Sequence, residues 1–250
     1  MKRQVLIMIA IGVISYFIFL FATIPASFAF SRLAETSLQL RYGTASGTIW
    51  KGEVNNLDVS GLRVSRAHWD MHAWRLMLAQ LSVNVGLNID RSVANANITL
   101  PFFGNTMVKD VRAAFPLQTL SQFGYLPGNT ASGDLAVRLD ELILEEYRPV
   151  SAQGEITLNN LVLNVAGNMP LGNFRAVISS ESGSIRAAVN DTQGPLNLQA
   201  MFSLSPEGNY DIDGTVSLRD TTQQDLARGL GLVGQADATG AHQIQFSGQL

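Results

Sequence analysis

Leu196-Asn197-Leu198-Gln199-Ala200-Met201-Phe202-Ser203-Leu204 is followed by Pro206-Glu207-Gly208-Asn209 and then by Tyr210-Asp211-Ile212-Asp213-Gly214-Thr215-Val216-Ser217-Leu218. Apolar residues occupy alternate positions in both arms, the period of a strand that buries one face, and the Pro/Gly/Asn cluster between them is turn chemistry. The pair reads as a β-hairpin. The same alternation recurs at Leu81-Val83-Val85-Leu87-Ile89 and Leu135-Val137-Leu139. Weaker matches are Val54 to Val64, Ile98 to Leu100, Ile156 to Val165, Arg175 to Ile178, Ile185 to Val189 and Ile244 to Phe246. Leu126-Pro127-Gly128-Asn129 and Ser182-Gly183-Ser184 supply further boundaries. Gly133 to Leu144 and Gly154 to Leu163 share a Gly-led alternating pattern that fits a duplicated hairpin or any meander.

Helical windows are few. Pro116 to Phe123 carries Leu117, Leu120 and Phe123 before Gly124, and Thr222 to Asp225 resembles a capping box ahead of Leu226, Leu230 and Gly231. Closely spaced strands without regular intervening helices argue against a parallel α/β sheet. The expected fold class is mainly β: one N-terminal transmembrane helix, then a twisted, mostly antiparallel sheet with a few short helices.

The N-terminus carries the membrane signal. From Gln4 to Ser31 no residue is charged, and Val5 to Ile24 is almost continuously apolar, long enough to cross about 30 Å of hydrocarbon as a helix. Val5, Ile9, Val13, Phe17, Leu20 and Ile24 mark this anchor. Ser27-Phe28-Ala29 after Pro25 has the small-x-small form of a cleavage site, but the apolar run exceeds the roughly 7–15 residues of a signal-peptide core. Lys2 and Arg3 hold the tail in the cytoplasm by the positive-inside rule, so the body lies across the membrane, in the periplasm for a bacterial inner membrane. The expected division is tail and anchor at 1–31 and a β-rich domain at 32–250, with Arg32 to Ser46 as a weakly helical stem and two subregions meeting near Tyr125 to Asn129. A single span cannot form a multi-helix pore.

Composition narrows the function. The 250 residues include 17 Lys+Arg and 20 Asp+Glu, a net charge of −3, which lacks the clustered basic surface of a nucleic-acid binder. At 46% hydrophobic and 15% charged, the chain is too apolar for intrinsic disorder. With no cysteine there is no disulfide, thiol nucleophile or thiolate metal site.

Motifs for chemistry are poor. Gly229-Leu-Gly231-Leu-Val-Gly234 matches a dinucleotide fingerprint as a string but lacks a preceding buried strand and a ribose-binding acid about 20 residues on. His68 and His72 could share a helix face with Asp70 between them, but the third histidine, His242, is remote. No phosphate loop or nucleophile elbow is present, and Glu145-Glu146 and Asp211-x-Asp213 read as solvated strand ends. Asn97-Ile-Thr99 and Asn190-Asp-Thr192 are glycosylation acceptors only in a eukaryotic secretory pathway. No catalytic, cofactor-binding or metal residue is assigned, and the chain is read as no enzyme.

What is distinctive is a layout: an N-terminal span, Gly47-Thr-Ile-Trp50-Lys-Gly52, Trp69, then Trp74-Arg-Leu-Met-Leu78. Phe115-Pro-Leu117 to Leu126-Pro127, Gly133 to Leu139 and Met169-Pro-Leu-Gly172-Asn-Phe174 follow. In this order the chain resembles the type II secretion system protein N (GspN) family over nearly its whole length, with Gly47, Trp50, Gly52, Trp69 and Trp74 as its structural motif residues. The resemblance implies a non-enzymatic inner-membrane component that assists export across the outer membrane. Its implied partners are other inner-membrane secretion subunits, and membrane lipid through the N-terminal helix. The alternative is a lipid-binding or lipid-transfer module with an AsmA-like apolar β-groove, since one apolar sheet face would suit acyl chains. An exported hydrolase would need a reactive constellation that the sequence does not offer.

Overall fold

A computed structural model describes residues 2–36, 40–59, 62–89, 92–122, 130–164, 167–181, 183–220, 223–231 and 236–249. The chain divides into two compact units, 1–90 and 91–250.

The first unit opens with α1 (Lys2–Ala22) and α2 (Ala26–Thr36). In α1 the side chains from Ile11 to Ala22 are exposed on every side of the helix. Thr23 then turns its hydroxyl onto the Phe19 carbonyl at 2.9 Å, and Pro25, which has no N–H to continue the ladder, separates the two helices. Among the described residues no helix is long and apolar enough to cross a membrane. In α1 the side chains of Val5, Leu6 and Ala10 lie outside the description, so its unbroken described stretch is Ile11 to Ala22.

Strands β1 (Leu40–Arg41), β2 (Thr44–Gly47), β3 (Lys51–Val59), β4 (Leu62–Met71) and β5 (Gln80–Ile89) follow, with a 3-10 turn at Ala73–Leu78 between the last two. Pairing is antiparallel in the order β1-β3-β4-β5, and β2 also pairs with β3. The expected stem from Arg32 to Ser46 is helical as far as Thr36, while its last part is β1 and the start of β2, because β3 offers its edge to both. The alternation from Val54 to Val64 spans two strands, with Leu57 opposite Val64. Val54, Val64 and Ala67 form this unit's core, packed by Phe30, Tyr42, Trp69 and Leu87.

The second unit contains β6 (Ser92–Pro101), β7 (Thr106–Pro116), α3 (Thr119–Gln122), β8 (Ala131–Glu145), β9 (Arg148–Leu163) and β10 (Met169–Glu181). It continues with β11 (Ser184–Gln193), β12 (Leu196–Leu204), β13 (Asn209–Leu218), α4 (Gln224–Leu230) and β14 (His242–Gln249). Each strand pairs antiparallel with the next, so β6 to β14 form a meander. The expected hairpin stands as read: Leu204 faces Tyr210, and the Ser205 N–H donates to the Asn209 carbonyl at 2.8 Å.

Register separates two faces. Val137, Ile156, Ala176, Val189, Ala200, Gly214 and Ile244 form one cross-strand row, and Leu139, Gly154, Ile178, Ala187, Phe202, Ile212 and Phe246 the next. The opposite face carries the row Thr157, Arg175, Asn190, Gln199, Thr215 and Gln243. Ala152, Ile185 and Leu204 cluster as buried residues on the apolar side, while Ile178, Phe202 and Tyr210 beside them stay half-buried.

The helices differ from expectation. Pro116 ends β7, because its strand register with Asp134 holds it in the ladder, so α3 starts only at Thr119. Phe123, Gly124 and the turn at 126–129 lie outside the described residues. In α4 the N-cap is Gln223 with no side-chain cap bond; Thr222 lies outside the described residues.

Candidate functional site

The Gly47–Gly52 segment is the tip of a hairpin in which Gly47 pairs with Gly52. Gly47 takes a φ of 84°, the left-handed region that favours glycine. The loop closes on itself, with Thr48 N–H donating to the Lys51 carbonyl at 2.8 Å and Lys51 N–H to the Thr48 hydroxyl at 3.2 Å. This leaves Ile49 and Trp50 projecting from the tip.

Both reach the helices. The Trp50 indole N–H donates to the Phe21 carbonyl at 3.0 Å, in the last turn of α1, where a helix leaves its carbonyls without internal partners. The two rings meet edge to face, centroids 4.9 Å apart. Ile49 N–H donates to the Ile24 carbonyl at 3.0 Å, and Pro25 bridges to Thr48. The hairpin tip thus fastens the α1–α2 connection at two successive residues.

Trp69 locks the other side. It sits opposite Gly52 in register, and its indole N–H donates to the Ile49 carbonyl at 3.0 Å. The space over Gly52 is filled by that indole: a Cβ there would lie 2.6 Å from Trp69 Cζ2 and 2.5 Å from the Ser46 carbonyl oxygen. Phe30 of α2 stacks within 5.5 Å of both Trp69 and Tyr42, so the second helix is held to the same aromatic group.

One ion pair flanks the joint. Lys51 Nζ lies 2.8 Å from Asp70 Oδ2 across β3 and β4. The hydrogen bond from Lys51 holds the Asp70 carboxyl below its ordinary value, and the same bond with the charge of Asp70 raises Lys51. Both groups are open to solvent, so the pair positions more than it stabilises.

Trp74 stands apart from this group. It belongs to the Ala73–Leu78 turn and is 60% exposed. His68 is exposed within β4 and His72 follows its end, so their spacing is that of an extended strand, roughly 13 Å for four residues. That separates two ligands too far to share a metal. His72 Nδ1 is buried with no hydrogen-bond partner among the described residues. Among the described residues no group of three or more His, Asp or Glu side chains could hold a metal ion. Gly229 and Gly231 lie at the end of α4 rather than after a strand, so the fingerprint string has no phosphate-binding context.

The type II secretion system (T2SS) protein N family model matches residues 39–245, a range that includes Gly47, Trp50, Gly52, Trp69 and Trp74. The chain belongs to the type II secretion system protein N family. A type II secretion system protein N of Aeromonas hydrophila is 23% identical over 264 residues, covering 100% of both chains. One from Pectobacterium carotovorum subsp. carotovorum is 23% identical over 244 residues, covering 95% of this chain and 94% of its own. No solved structure matches the chain. Within this chain, the motif residues read from the sequence meet around one joint, Trp74 excepted. Phe21, Phe30 and Tyr42 complete it. Phe21 could not be read in advance, because nothing distinguishes it from its neighbours in an apolar run.

Proposed function

We propose that this chain is a non-enzymatic inner-membrane component of the type II secretion pathway, with α1 spanning the bilayer and the β-rich units in the periplasm. The observation that carries this reading is α1 itself. Its 21 residues measure about 31 Å at 1.5 Å per residue, the thickness of a hydrocarbon core. Tyr16, Phe17, Ile18 and Phe19, four successive residues that step about 100° apart around the helix, are all exposed, so the apolar surface has no single face. Apolar exposure of that kind is stable only where lipid or protein replaces water. The basic residues Lys2 and Arg3 set the orientation, tail inside.

Partner subunits would dock on sheet edges. β14 pairs with β13 on one side; among the described residues no strand pairs with its other side, where His242 alone bridges to Ala236, and that edge suits strand addition. A second reading is favoured by one observation: the apolar rows of the second unit, from Val137 to Ile244 and from Leu139 to Phe246, are mostly half-buried, with Ala187 buried and Phe246 exposed, and suit acyl chains. The test is affinity capture of the tagged full-length chain from gently solubilised membranes, with proteins and lipids identified by mass spectrometry. Inner-membrane secretion subunits at reproducible ratios are expected. Abundant phospholipid with no secretion subunit would overturn the machinery role in favour of the groove.

A further inference from the structure

The Ala73–Leu78 turn also shows water a cluster of large apolar side chains. Trp74, Met77 and Leu78 are 60%, 93% and 59% exposed. The turn is nonetheless fixed. His72 N–H donates to the Ser82 carbonyl at 2.9 Å, Arg75 reaches the Ser82 hydroxyl at 3.3 Å, and Ala79 closes the turn in the left-handed region at φ 53°. A rigid backbone that presents its apolar side chains outward is built for a surface.

Its position relative to α1 follows from a short chain of bonds. The Trp50 indole holds Phe21 at the end of α1, and the Trp50 carbonyl accepts the Met71 N–H at 2.6 Å. The turn begins two residues later. Trp74, Met77 and Leu78 are therefore carried at the level where α1 ends, within one unit. The turn has no acidic residue in its first turn and carries one cation, Arg75, whose guanidinium lies 5.6 Å from the Trp74 ring centroid. The nearby acid, Asp70, is paired with Lys51. An aromatic, two long apolar side chains and an arginine form the chemistry of the water–lipid boundary, where rings sit at headgroup depth and arginine meets phosphate.

We infer that the Ala73–Leu78 turn is a second membrane contact, inserting Trp74, Met77 and Leu78 into the outer leaflet beside α1 with Arg75 at the headgroups. This rests on the reading of α1 as a membrane anchor. The occupant is the bilayer that α1 enters rather than a protein, because the turn follows directly on Met71, which is linked through Trp50 to the helix end.

The chain has no cysteine, so single-cysteine variants of the full-length protein carry one label each. I14C, M77C and S247C would be labelled with an environment-sensitive dye and reconstituted into vesicles of phosphatidylethanolamine and phosphatidylglycerol bearing shallow or deep lipid quenchers. The expected result is a blue shift and loss of emission with shallow quenchers at M77C, quenching by deep quenchers at I14C, and neither at S247C. L78C serves as a second reporter and should follow M77C. Emission at M77C and L78C as red and unquenched as at S247C, with I14C still quenched, overturns the second contact and leaves the anchor standing. An unquenched I14C overturns the anchor, and the inference with it.

Discussion

The Trp50 indole N–H donates to the Phe21 carbonyl at 3.0 Å, a hydrogen bond between residues 29 apart in sequence that ties a β-hairpin tip to the end of α1. Replacing Trp50 by Phe keeps a ring against Phe21 but removes the donor, at a cost of about 1 kcal/mol. Replacement by Ala loses the ring pair as well, about 0.5–1.5 kcal/mol more. Limited proteolysis between α1 and β2 should accelerate in the order wild type, W50F, W50A; equal rates would show that the joint does not restrain this segment.

Gly52 and Gly229 should respond to alanine with opposite signs. At Gly52 the methyl group meets the Trp69 ring and the Ser46 carbonyl, so G52A should destabilise by about 1–3 kcal/mol. At Gly229, inside α4, the nearest atom is Met169 Sδ at 3.9 Å, so G229A should stabilise by about 0.5–1 kcal/mol through helix propensity. Denaturant unfolding of each variant gives both signs.

The Asp191 side chain is 3% exposed; it accepts the Leu198 N–H at 2.7 Å on Oδ1 and bonds the Arg219 guanidinium on Oδ2. Asp191→Ala strands the Leu198 backbone donor and leaves the Arg219 guanidinium with the Leu196 carbonyl and water, and should cost about 2–3 kcal/mol. Arg219→Met leaves the Leu198 bond intact and should cost less. A melting series in which the arginine variant is the weaker would contradict this order.

The Lys51–Asp70 pair sets a pH window. Asp70 is held below its ordinary 3.8, so its contribution is present above that value and fades as pH falls through the lowered midpoint. Lys51 is raised above 10.5, so its contribution is present below that value and fades as pH rises through the raised midpoint. Carbon NMR of the Asp70 carboxyl should titrate below 3.8 in the native chain and move upward in K51M. An unmoved midpoint would mean that the lysine is not the cause.

The legibility of this chain varied with the phase of its alternation. β12 was read to the residue and β13 to within one, its first residue Asn209 having been read as turn, because nothing interrupts their period of two. In β7 the apolar positions run Val108, then Val111, Ala113 and Phe115, and the phase changes at Asp110, which takes φ 53°. β8 changes phase opposite it, from Leu139 to Leu142, around a register shift. A bulge of this kind keeps the apolar side chains on one face while breaking the pattern that reveals a strand, and β7 carried no strand signal for that reason. The fusion of β3 and β4 is the converse case, where alternation passed through a turn unbroken. The joint was half legible: glycines and tryptophans stand out by type, whereas the Phe21 and Ile24 carbonyls are main-chain partners that no side-chain pattern can announce.

The two-point fastening of the hairpin tip to the α1–α2 connection also bears on how such a chain meets its partners. A domain on a loose tether samples a wide volume and must give up that freedom each time it is captured. Here the helix end and the hairpin are fastened together, so on the proposed reading of α1 as a membrane anchor the first unit has its height and heading already chosen. Encounters with a neighbouring subunit then become a search in two dimensions, and little orientational entropy is left to lose on docking.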